Sequence, residues 1–181
     1  MKKLVISFSS KRIDFRSLTV SDANQTYVDW LNDPIVNQHL EIKNITSTIN
    51  SCENYIAGSV ANENEYLLGM FDIASGKHIG NIKIYLINTT HKTAEIGLMI
   101  GEKEFWGQGY ATEAIRCVSR WGFEYLNLEK ISAGCYEVNL ASHKSFLKAG
   151  FKVEAFLRSQ CIFEGNRIGC FRLGLLPDEL T

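Results

Sequence analysis

Apolar side chains recur at every second position in some parts of the chain and at every third or fourth position in others, which predicts strands and helices respectively. The helical spacing in the first half stops at Asn32-Asp33-Pro34, because proline does not continue a helix. The first half is predicted to begin with a strand that contains Ile13, Phe15 and Leu18. A helix with Ala23, Tyr27, Trp30 and Leu31 at helical spacing follows, capped at Thr19 or Ser21. A second helix over about 48–60 and a hairpin of strands 66–73 and 79–87 complete this half.

The second half predicts a strand, a glycine-rich turn and a long helix, then a shorter strand and helix, then a hairpin. These elements are strand 94–100, a helix over about 110–126, strand 131–135, helix 140–149 closed by Gly150, and a hairpin that turns at Glu164-Gly165-Asn166. The order β-α-α-β-β-β-α-β-α-β-β predicts an α/β (α+β) fold. Its sheet should be mixed, antiparallel early and parallel where helices cross over, with helices packed on its faces.

Length and composition fit one folded domain over residues 1–181, because 45% of the residues are hydrophobic and 22% are charged. Nineteen Lys and Arg against twenty Asp and Glu give a net charge of −1, so nothing attracts the chain as a whole to nucleic acid or to an anionic membrane. The apolar run at the start is too short for a signal peptide, and no stretch approaches the roughly 20 apolar residues of a membrane span. We therefore expect a cytoplasmic protein without nucleic-acid or membrane partners.

The cysteines and histidines do not have the spacing of a metal site. Five cysteines are an odd number and are not closely paired, so neither a disulfide framework nor a zinc or redox motif is expected. His78, His91 and His143 likewise show no metal spacing. We expect reduced, mostly buried thiols and no metal.

The segment from Glu104 to Ala114 places two glycines and an alanine where a strand leads into a helix. Small residues let a ligand approach the backbone, the first N–H groups of a helix have no intrahelical acceptor, and the helix dipole attracts negative charge. Gly107, Gly109 and Ala111 therefore form a candidate pyrophosphate site, although an ordinary turn explains these residues equally well on their own. The spacing matches neither the Gly-x-Gly-x-x-Gly dinucleotide motif nor a P-loop.

This turn is one of four blocks that occur here in the order of a known family. By these blocks the chain resembles the GNAT superfamily of acetyl-CoA-dependent N-acetyltransferases, and most closely its branch with the ribosomal-protein N-terminal alanine acetyltransferases. The resemblance covers almost the whole chain and implies a mixed, mostly antiparallel central sheet with helices on both faces. The blocks are Trp30-Leu31-Asn32-Asp33-Pro34, Ala94-Glu95-Ile96-Gly97, the stretch from Trp106 to Ala114, and Asn139-Leu140-Ala141-Ser142 before Gly150-Phe151.

The resemblance implies that acetyl-CoA is the co-substrate and binds mainly to backbone groups. Strand residues would pair with the pantetheine arm, turn residues would hold the pyrophosphate, and Asn139 would contact the pantetheine through its side-chain amide. Asn139 is also placed to cap the following helix, and the two roles are compatible. The implied backbone contacts come from Leu98, Met99 and Ile100 on the strand, and from Gly107, Gln108, Gly109, Tyr110, Ala111 and Thr112 at the turn.

Acetyl transfer to an amine needs a neutral nucleophile, a stabilised carbonyl oxygen and a proton for the departing thiolate. Many superfamily members supply this proton from a tyrosine, but the corresponding residue here is Phe146. The branch that the chain resembles offers Ser142 instead, which is equally explained as a surface or capping serine. Glu95 is the candidate base, acting through water if its side chain faces the cleft, with His39 and Glu41 as alternatives.

Two residues depart from the family pattern. Glu104 stands where the superfamily usually has Gln or Arg, so we expect its side chain to point to solvent, with Lys103 as a compensating cation. Gly169 stands roughly where the branch often has Asp, which leaves an acceptor contact from that strand in doubt. The family's direct mechanism forms no acyl-enzyme, so the cysteines are expected to be structural.

These residues together predict an acetyl-CoA-dependent N-acetyltransferase that transfers an acetyl group directly to a primary amine. The acceptor stays open between a protein N-terminus and a nucleotide-linked amino sugar or a related small amine, and the enzyme is expected to be a monomer or a homodimer. An alternative of a different class is a non-catalytic acyl-CoA-binding sensor or partner module. Phe146, in the place of a general acid, would fit that alternative.

Overall fold

The computed structural model describes residues 5–180, in which the chain forms eight strands and four helices. The helices are α1 Gln25–Asn32, α2 Ile49–Ala61, α3 Tyr110–Tyr125 and α4 Leu140–Lys148. The strands are β1 Ser7–Ser9, β2 Ile13–Ser17, β3 Glu65–Asp72, β4 His78–Asn88, β5 Thr93–Ile100, β6 Lys130–Tyr136, β7 Lys152–Phe163 and β8 Asn166–Leu175.

The strands form a sheet in the order β1-β2-β3-β4-β5-β6-β8-β7. Strands β1 and β2, β2 and β3, β6 and β8, and β8 and β7 run antiparallel, whereas β5 and β6 run parallel. Helix α3 joins the two parallel strands, because such a pair needs a crossover connection. The predicted α/β fold with a mixed, mostly antiparallel sheet is confirmed.

All the predicted elements form, with small differences at their ends, and the structure adds strand β1. Periodicity does not predict β1, because it is three residues long and has Phe8 as its single apolar residue. Its pairing with β2 and the stacking of Phe8 on Phe15, with ring centroids 5.1 Å apart, hold it in the sheet.

The cap predicted for α1 at Thr19 or Ser21 is wrong. Asn24 caps this helix, and its side-chain oxygen accepts a hydrogen bond from the Tyr27 N–H. Thr19 instead precedes a 3-10 turn, Val20–Asp22, in which the Asp22 carboxylate accepts bonds from Thr19. Both residue types suit a cap, so the pattern alone could not choose between them.

The described residues fall into two compact units. The first unit comprises the residues up to Lys83 together with Leu98–Tyr110, and the second comprises Ile84–Gly97 together with the residues from Ala111 onward. Each unit has buried apolar side chains of its own. The single domain over residues 1–181 stays a prediction.

The core of the first unit lies around α1 and α2. It forms because the apolar positions of both helices, three or four residues apart, face the same interior. Val36, Leu40, Ile42 and Met99 pack against this core while remaining partly exposed. Its buried members are Leu18, Ala23, Tyr27, Val28, Trp30, Leu31, Cys52, Ile56 and Leu67.

The core of the second unit includes α3, α4 and the strands beside them. Gly122 of α3 lets the helix approach Ile84 and Ile131, whose side chains would lie 3.1 and 3.3 Å from a Cβ at this position. Phe146 of α4 packs edge-on against Phe151, with ring centroids 5.0 Å apart. None of the helices within residues 5–180 is long and apolar enough to cross a membrane.

Candidate active site

An exposed turn leads from β5 into α3. Trp106, Gly107, Gln108 and Gly109 form it, and α3 begins at Tyr110. Gly107 and Gly109 have φ angles of 73° and 83°, in the left-handed region that other residues rarely adopt. The turn thus presents its backbone to solvent at a helix N-terminus, where the first N–H groups have no intrahelical acceptor.

Side chains from other parts of the first unit hold this turn. Arg12, between β1 and β2, donates a hydrogen bond of 3.0 Å from Nη1 to the Gln108 carbonyl, and its guanidinium lies 4.1 Å from the centre of the Tyr110 ring. The Tyr110 hydroxyl donates a buried hydrogen bond of 2.8 Å to Asp72 Oδ1. Bonds from Ser75 and then from Tyr110 lower the pKa of Asp72, so this carboxylate is ionised at neutral pH.

The C-terminal half of β5 directs its backbone groups to two different edges. The Gly101 N–H donates to the Ile79 carbonyl on β4, whereas the Ile100 carbonyl accepts a bond of 2.9 Å from the Trp106 indole. Because successive strand residues point their backbone groups to opposite edges, Leu98 and Ile100 face away from β4 and Met99 faces it. The Met99 carbonyl lies beside Gly80 of β4, 2.2 Å from where a Cβ would stand. Leu98 and Ile100 are therefore better placed than Met99 to pair with a ligand.

The Glu104 carboxylate is 61% exposed, as expected, but its partner is Lys77. The Lys77 ammonium lies 2.7 Å from Glu104 and 2.8 Å from Glu102, and these two carboxylates raise its pKa. Lys103, expected to compensate Glu104, pairs with Asp33 at 2.6 Å instead. Lys77 is thus shared between the Glu102 and Glu104 carboxylates beside the turn.

The Trp-Leu-Asn-Asp-Pro block gains a physical explanation from these contacts. The Trp30 indole donates a hydrogen bond of 3.0 Å to Glu102, and Asp33 binds Lys103. Both partners lie in the connection between β5 and the glycine turn. The end of α1 therefore fixes the segment that carries the turn.

Glu95 forms a bidentate ion pair with Arg172 in the second unit. The N–O distances are 2.6 and 3.3 Å, and the side chains are 21% and 33% exposed. Arg172 on β8 lies opposite Gly134 on β6 and reaches over it, since a Cβ on Gly134 would lie 2.8 Å from Arg172 Nη1. Glu95 raises the pKa of the Arg172 guanidinium. Arg172 is not predicted from the sequence, because no local pattern marks a pair that joins residues 77 positions apart.

Ser142 and Asn139 lie at the start of α4. The Asn139 side-chain oxygen accepts a hydrogen bond of 3.1 Å from the Ser142 N–H, so Asn139 is the N-cap of this helix. Ser142 lies in the first turn and is half-buried. Phe146 is buried in the core, 2% exposed, where a side chain does not reach solvent. The cap role of Asn139 is established, and its cofactor role stays a prediction.

The segment after α1 contains the alternative bases His39 and Glu41. His39 is half-buried, and burial, followed by the charge of Lys43, lowers its pKa, whereas Glu41 is exposed. The same segment borders a cleft of about 470 Å³ lined by Asn32, Asn37, Lys43, Asn44, Ile45 and Thr46. Its polar lining consists of amides, a hydroxyl and one cation.

None of the five cysteines, which all lie within residues 5–180, forms a disulfide. Burial raises the pKa of Cys117 and of Cys135 to about 11. An activated nucleophile needs the opposite shift, so these two thiols are unsuited to covalent catalysis. Among residues 5–180, no three His, Cys, Asp or Glu side chains are grouped as a metal site would need.

Comparison with known proteins assigns the class. The family description "Acetyltransferase (GNAT) domain" matches residues 12–152. The uncharacterized N-acetyltransferase YoaA of Bacillus subtilis (strain 168) is 30% identical over 157 residues, which are 86% of this chain and 88% of YoaA. With the mixed sheet and its glycine turn, these matches define an N-acetyltransferase. The chain belongs to the GNAT acetyltransferase family.

Solved structures have the same fold at low sequence identity. Spermidine N-acetyltransferase from Vibrio cholerae, in complex with CoA and spermine, superposes with a TM-score of 0.83 at 20% identity, over 94% of this chain and 98% of that one. Ribosomal-protein-S5-alanine acetyltransferase from Vibrio fischeri gives 0.82 at 18% identity, over 97% and 99%. Enzymes with different acceptors thus share this architecture.

Proposed function

We propose that this N-acetyltransferase uses acetyl-CoA and transfers the acetyl group directly to a primary amine. The observation that carries the proposal is the exposed turn at Gly107 and Gly109, whose left-handed backbone faces solvent at the start of α3. The site residues fit an anionic cofactor, because small residues leave the backbone N–H groups at the start of α3 accessible, and the exposed Glu104 carboxylate is paired with Lys77. Acetyl-CoA would supply the acetyl group as a thioester.

The cofactor contacts are proposed in each unit separately. In the first unit, the backbone of Leu98 and Ile100 would hold the pantetheine arm, and the N–H groups from Gly107 to Tyr110 would hold the pyrophosphate. In the second unit, Ala111 and Thr112 would add first-turn N–H groups, and Asn139 would use the amide nitrogen that its cap bond leaves available. These contacts are hydrogen bonds, which fix the ligand without consuming any residue in the reaction.

The cofactor proposal is tested with Gly109→Trp against Gly165→Trp. Both glycines have a left-handed φ, 83° and 78°, so the two variants carry similar backbone strain, but Gly165 lies in the terminal hairpin. Thermal-shift and calorimetric titration should show acetyl-CoA binding to the Gly165 variant and none to the folded Gly109 variant. Equal binding by both would remove the turn from the cofactor site.

Ser142 is proposed to protonate the departing thiolate. It lies in the first turn of α4, and the buried Phe146 offers no hydroxyl. Ser142→Ala should lower turnover by roughly tenfold to a thousandfold at unchanged acetyl-CoA affinity. Ser145→Ala is the matched control, since Ser145 lies on the same helix but donates to the Ala141 carbonyl. If Ser142→Ala turns over like the wild type where chemistry is rate-limiting, water is the donor.

Glu95 is proposed as the base that takes the amine proton through water, with Arg172 orienting its carboxylate. A direct mechanism needs the neutral amine, so the rate should rise with pH for any acceptor. Glu95→Gln should lower the rate most at low pH and leave a profile that follows only the amine's ionisation. An unchanged profile and rate in this variant would make Glu95 structural and direct attention to His39 and Glu41.

A protein N-terminus is the proposed acceptor, with a nucleotide-linked amino sugar or another small amine as the second candidate. In the cleft after α1, the amides of Asn32 and Asn37 are held by Ser47 and Leu31, whereas the exposed Asn44 and Thr46 offer polar groups that suit a peptide backbone. Lys43 in the same lining disfavours a polycation. The solved neighbours include enzymes named for a ribosomal-protein alanine and for spermidine. We also propose a cytoplasmic location, where the five thiols stay reduced, and a monomer or homodimer.

A mass-spectrometric screen with acetyl-CoA tests activity and acceptor together. Peptides with free N-termini, amino sugars and polyamines are compared at equal concentration, and we expect the peptides to be acetylated fastest. Preference for spermidine would overturn the acceptor proposal while leaving the chemistry intact. Acetyl-CoA binding without thiol release on any amine would favour the non-catalytic sensor.

A further inference from the structure

We propose that Arg12 is a positioning residue for the cofactor, which fixes the direction of one peptide group in the glycine turn. The proposal rests on the proposed function, since it concerns the same turn. Arg12 lies 96 positions before Gln108 and belongs to none of the sequence blocks described above. Its contacts with the turn are entirely tertiary.

The peptide group between Gln108 and Gly109 has its orientation set by Arg12. Arg12 Nη1 donates to the Gln108 carbonyl oxygen at 3.0 Å. This peptide is trans, so its C=O and the Gly109 N–H point in opposite directions. The Gly109 N–H is therefore directed away from Arg12, to the side of the turn where it can donate a hydrogen bond to an anion.

A glycine-rich turn needs such a restraint, because glycine allows its peptide groups to rotate. Gly107 and Gly109 flank Gln108, and neither has a side chain to limit the backbone. Without the bond from Arg12, the Gln108 carbonyl could turn toward the anion and repel it. Holding the peptide in one orientation before the ligand arrives removes that ordering step from binding.

Arg12 is itself held firmly enough to act in this way. Its guanidinium lies over the Tyr110 ring at 4.1 Å, and its charge faces the Asp72 carboxylate, which accepts the Tyr110 hydroxyl at 2.8 Å. Phe105 packs edge-on against the same ring, with centroids 5.1 Å apart. The end of β3, the start of α3 and the β1–β2 connection thereby form one support behind the turn.

Arg12→Met tests the inference, because methionine keeps an apolar arm on Tyr110 and loses the donor. Lys11→Met is the matched control, since it removes a charge from the exposed neighbouring residue. Circular dichroism and Tm establish that both variants fold, and calorimetry gives the dissociation constant of acetyl-CoA. If Arg12→Met does not fold, Arg12→Lys, which keeps a charged donor, should retain binding more closely than Arg12→Gln.

Arg12→Met should weaken acetyl-CoA binding by about tenfold or more, whereas Lys11→Met should change it by less than about twofold. S-acetylpantetheine, which lacks the pyrophosphate, should serve as a donor equally well for Arg12→Met and for the wild type. The loss should persist between about 50 mM and about 300 mM NaCl, because screening weakens a charge effect but not an orientation effect.

Four results would overturn the inference. Equal acetyl-CoA affinity in Arg12→Met and the wild type would remove Arg12 from binding. A loss that disappears in high salt, or one that extends to S-acetylpantetheine, would show a charge effect or a general disturbance instead of peptide positioning. A wild-type protein that binds no acetyl-CoA would overturn the proposed function, and this inference with it.

Discussion

The ion pair between Glu95 and Arg172 should stabilise the protein by a measurable coupling. A double-mutant cycle with Glu95→Gln, Arg172→Met and the combined variant isolates this coupling from the other effects of each change. Each single variant leaves one partly buried charge without its partner. The combined variant removes both charges and should be more stable than the two single changes predict.

The size of the coupling follows from the geometry. Two charges about 4 Å apart near a protein surface attract by about 4 kcal/mol at an effective dielectric constant near 20. Desolvation offsets part of this attraction, because the two side chains are 21% and 33% exposed, between a surface pair and a buried one. We expect a net coupling of about 2 kcal/mol, which corresponds to roughly 4–8 °C in Tm for a chain of this size.

Urea unfolding followed by tryptophan fluorescence near neutral pH measures the coupling. Since the pair is partly buried, moderate salt should reduce the coupling only slightly. A coupling below about 0.3 kcal/mol, within the scatter of additive changes, would refute the reasoning. The bidentate contact would then contribute no net stability.

Four further predictions follow from single side chains. Asn139→Ala should lower Tm by about 2–4 °C, because the helix cap is lost. Asn139→Asp keeps the cap, so a weaker acetyl-CoA affinity of this variant at unchanged Tm would reveal a cofactor contact. Phe146→Tyr should destabilise by about 1–3 kcal/mol in urea unfolding without raising turnover, because its hydroxyl would enter the core; a faster enzyme would contradict this. Burial raises the pKa of Cys135 to about 11, so its thiol should resist iodoacetamide near neutral pH and react faster as the pH approaches 11. Mass spectrometry follows the alkylation, and rapid alkylation at neutral pH would contradict the burial of this thiol. Partial burial would raise the pKa of Asp22, but hydrogen bonds from Arg16 and Thr19 outweigh burial and lower this pKa from 3.8 to about 2. The Tm deficit of Asp22→Asn should therefore be full above about pH 4 and disappear as the pH falls through about 2. A deficit that does not change with pH would refute this prediction.

Much of the fold is predictable because its signals are local. The end of α1 before Pro34, the closing of α4 before Gly150 and the terminal hairpin each depend on residues adjacent in the chain. Strand β1 is the exception, because three residues cannot show a period and only pairing with β2 makes them a strand. The cap of α1 also cannot be chosen from the local pattern, because Thr19 and Asn24 are both suitable residue types for a helix cap.

The glycine turn and the element order around it can be predicted from neighbouring residues, because left-handed φ angles and helix starts are local properties. The side chains that support that turn, and the partner of Glu95, depend on how the whole chain folds. Period-two alternation predicts that Glu95 lies on one face of β5 but does not identify the face. Its partner Arg172 reaches it across Gly134 from a different strand. Arg12 meets Gln108 in the same way, over 96 positions. Such contacts leave no local pattern, because folding of the whole chain brings the two residues together.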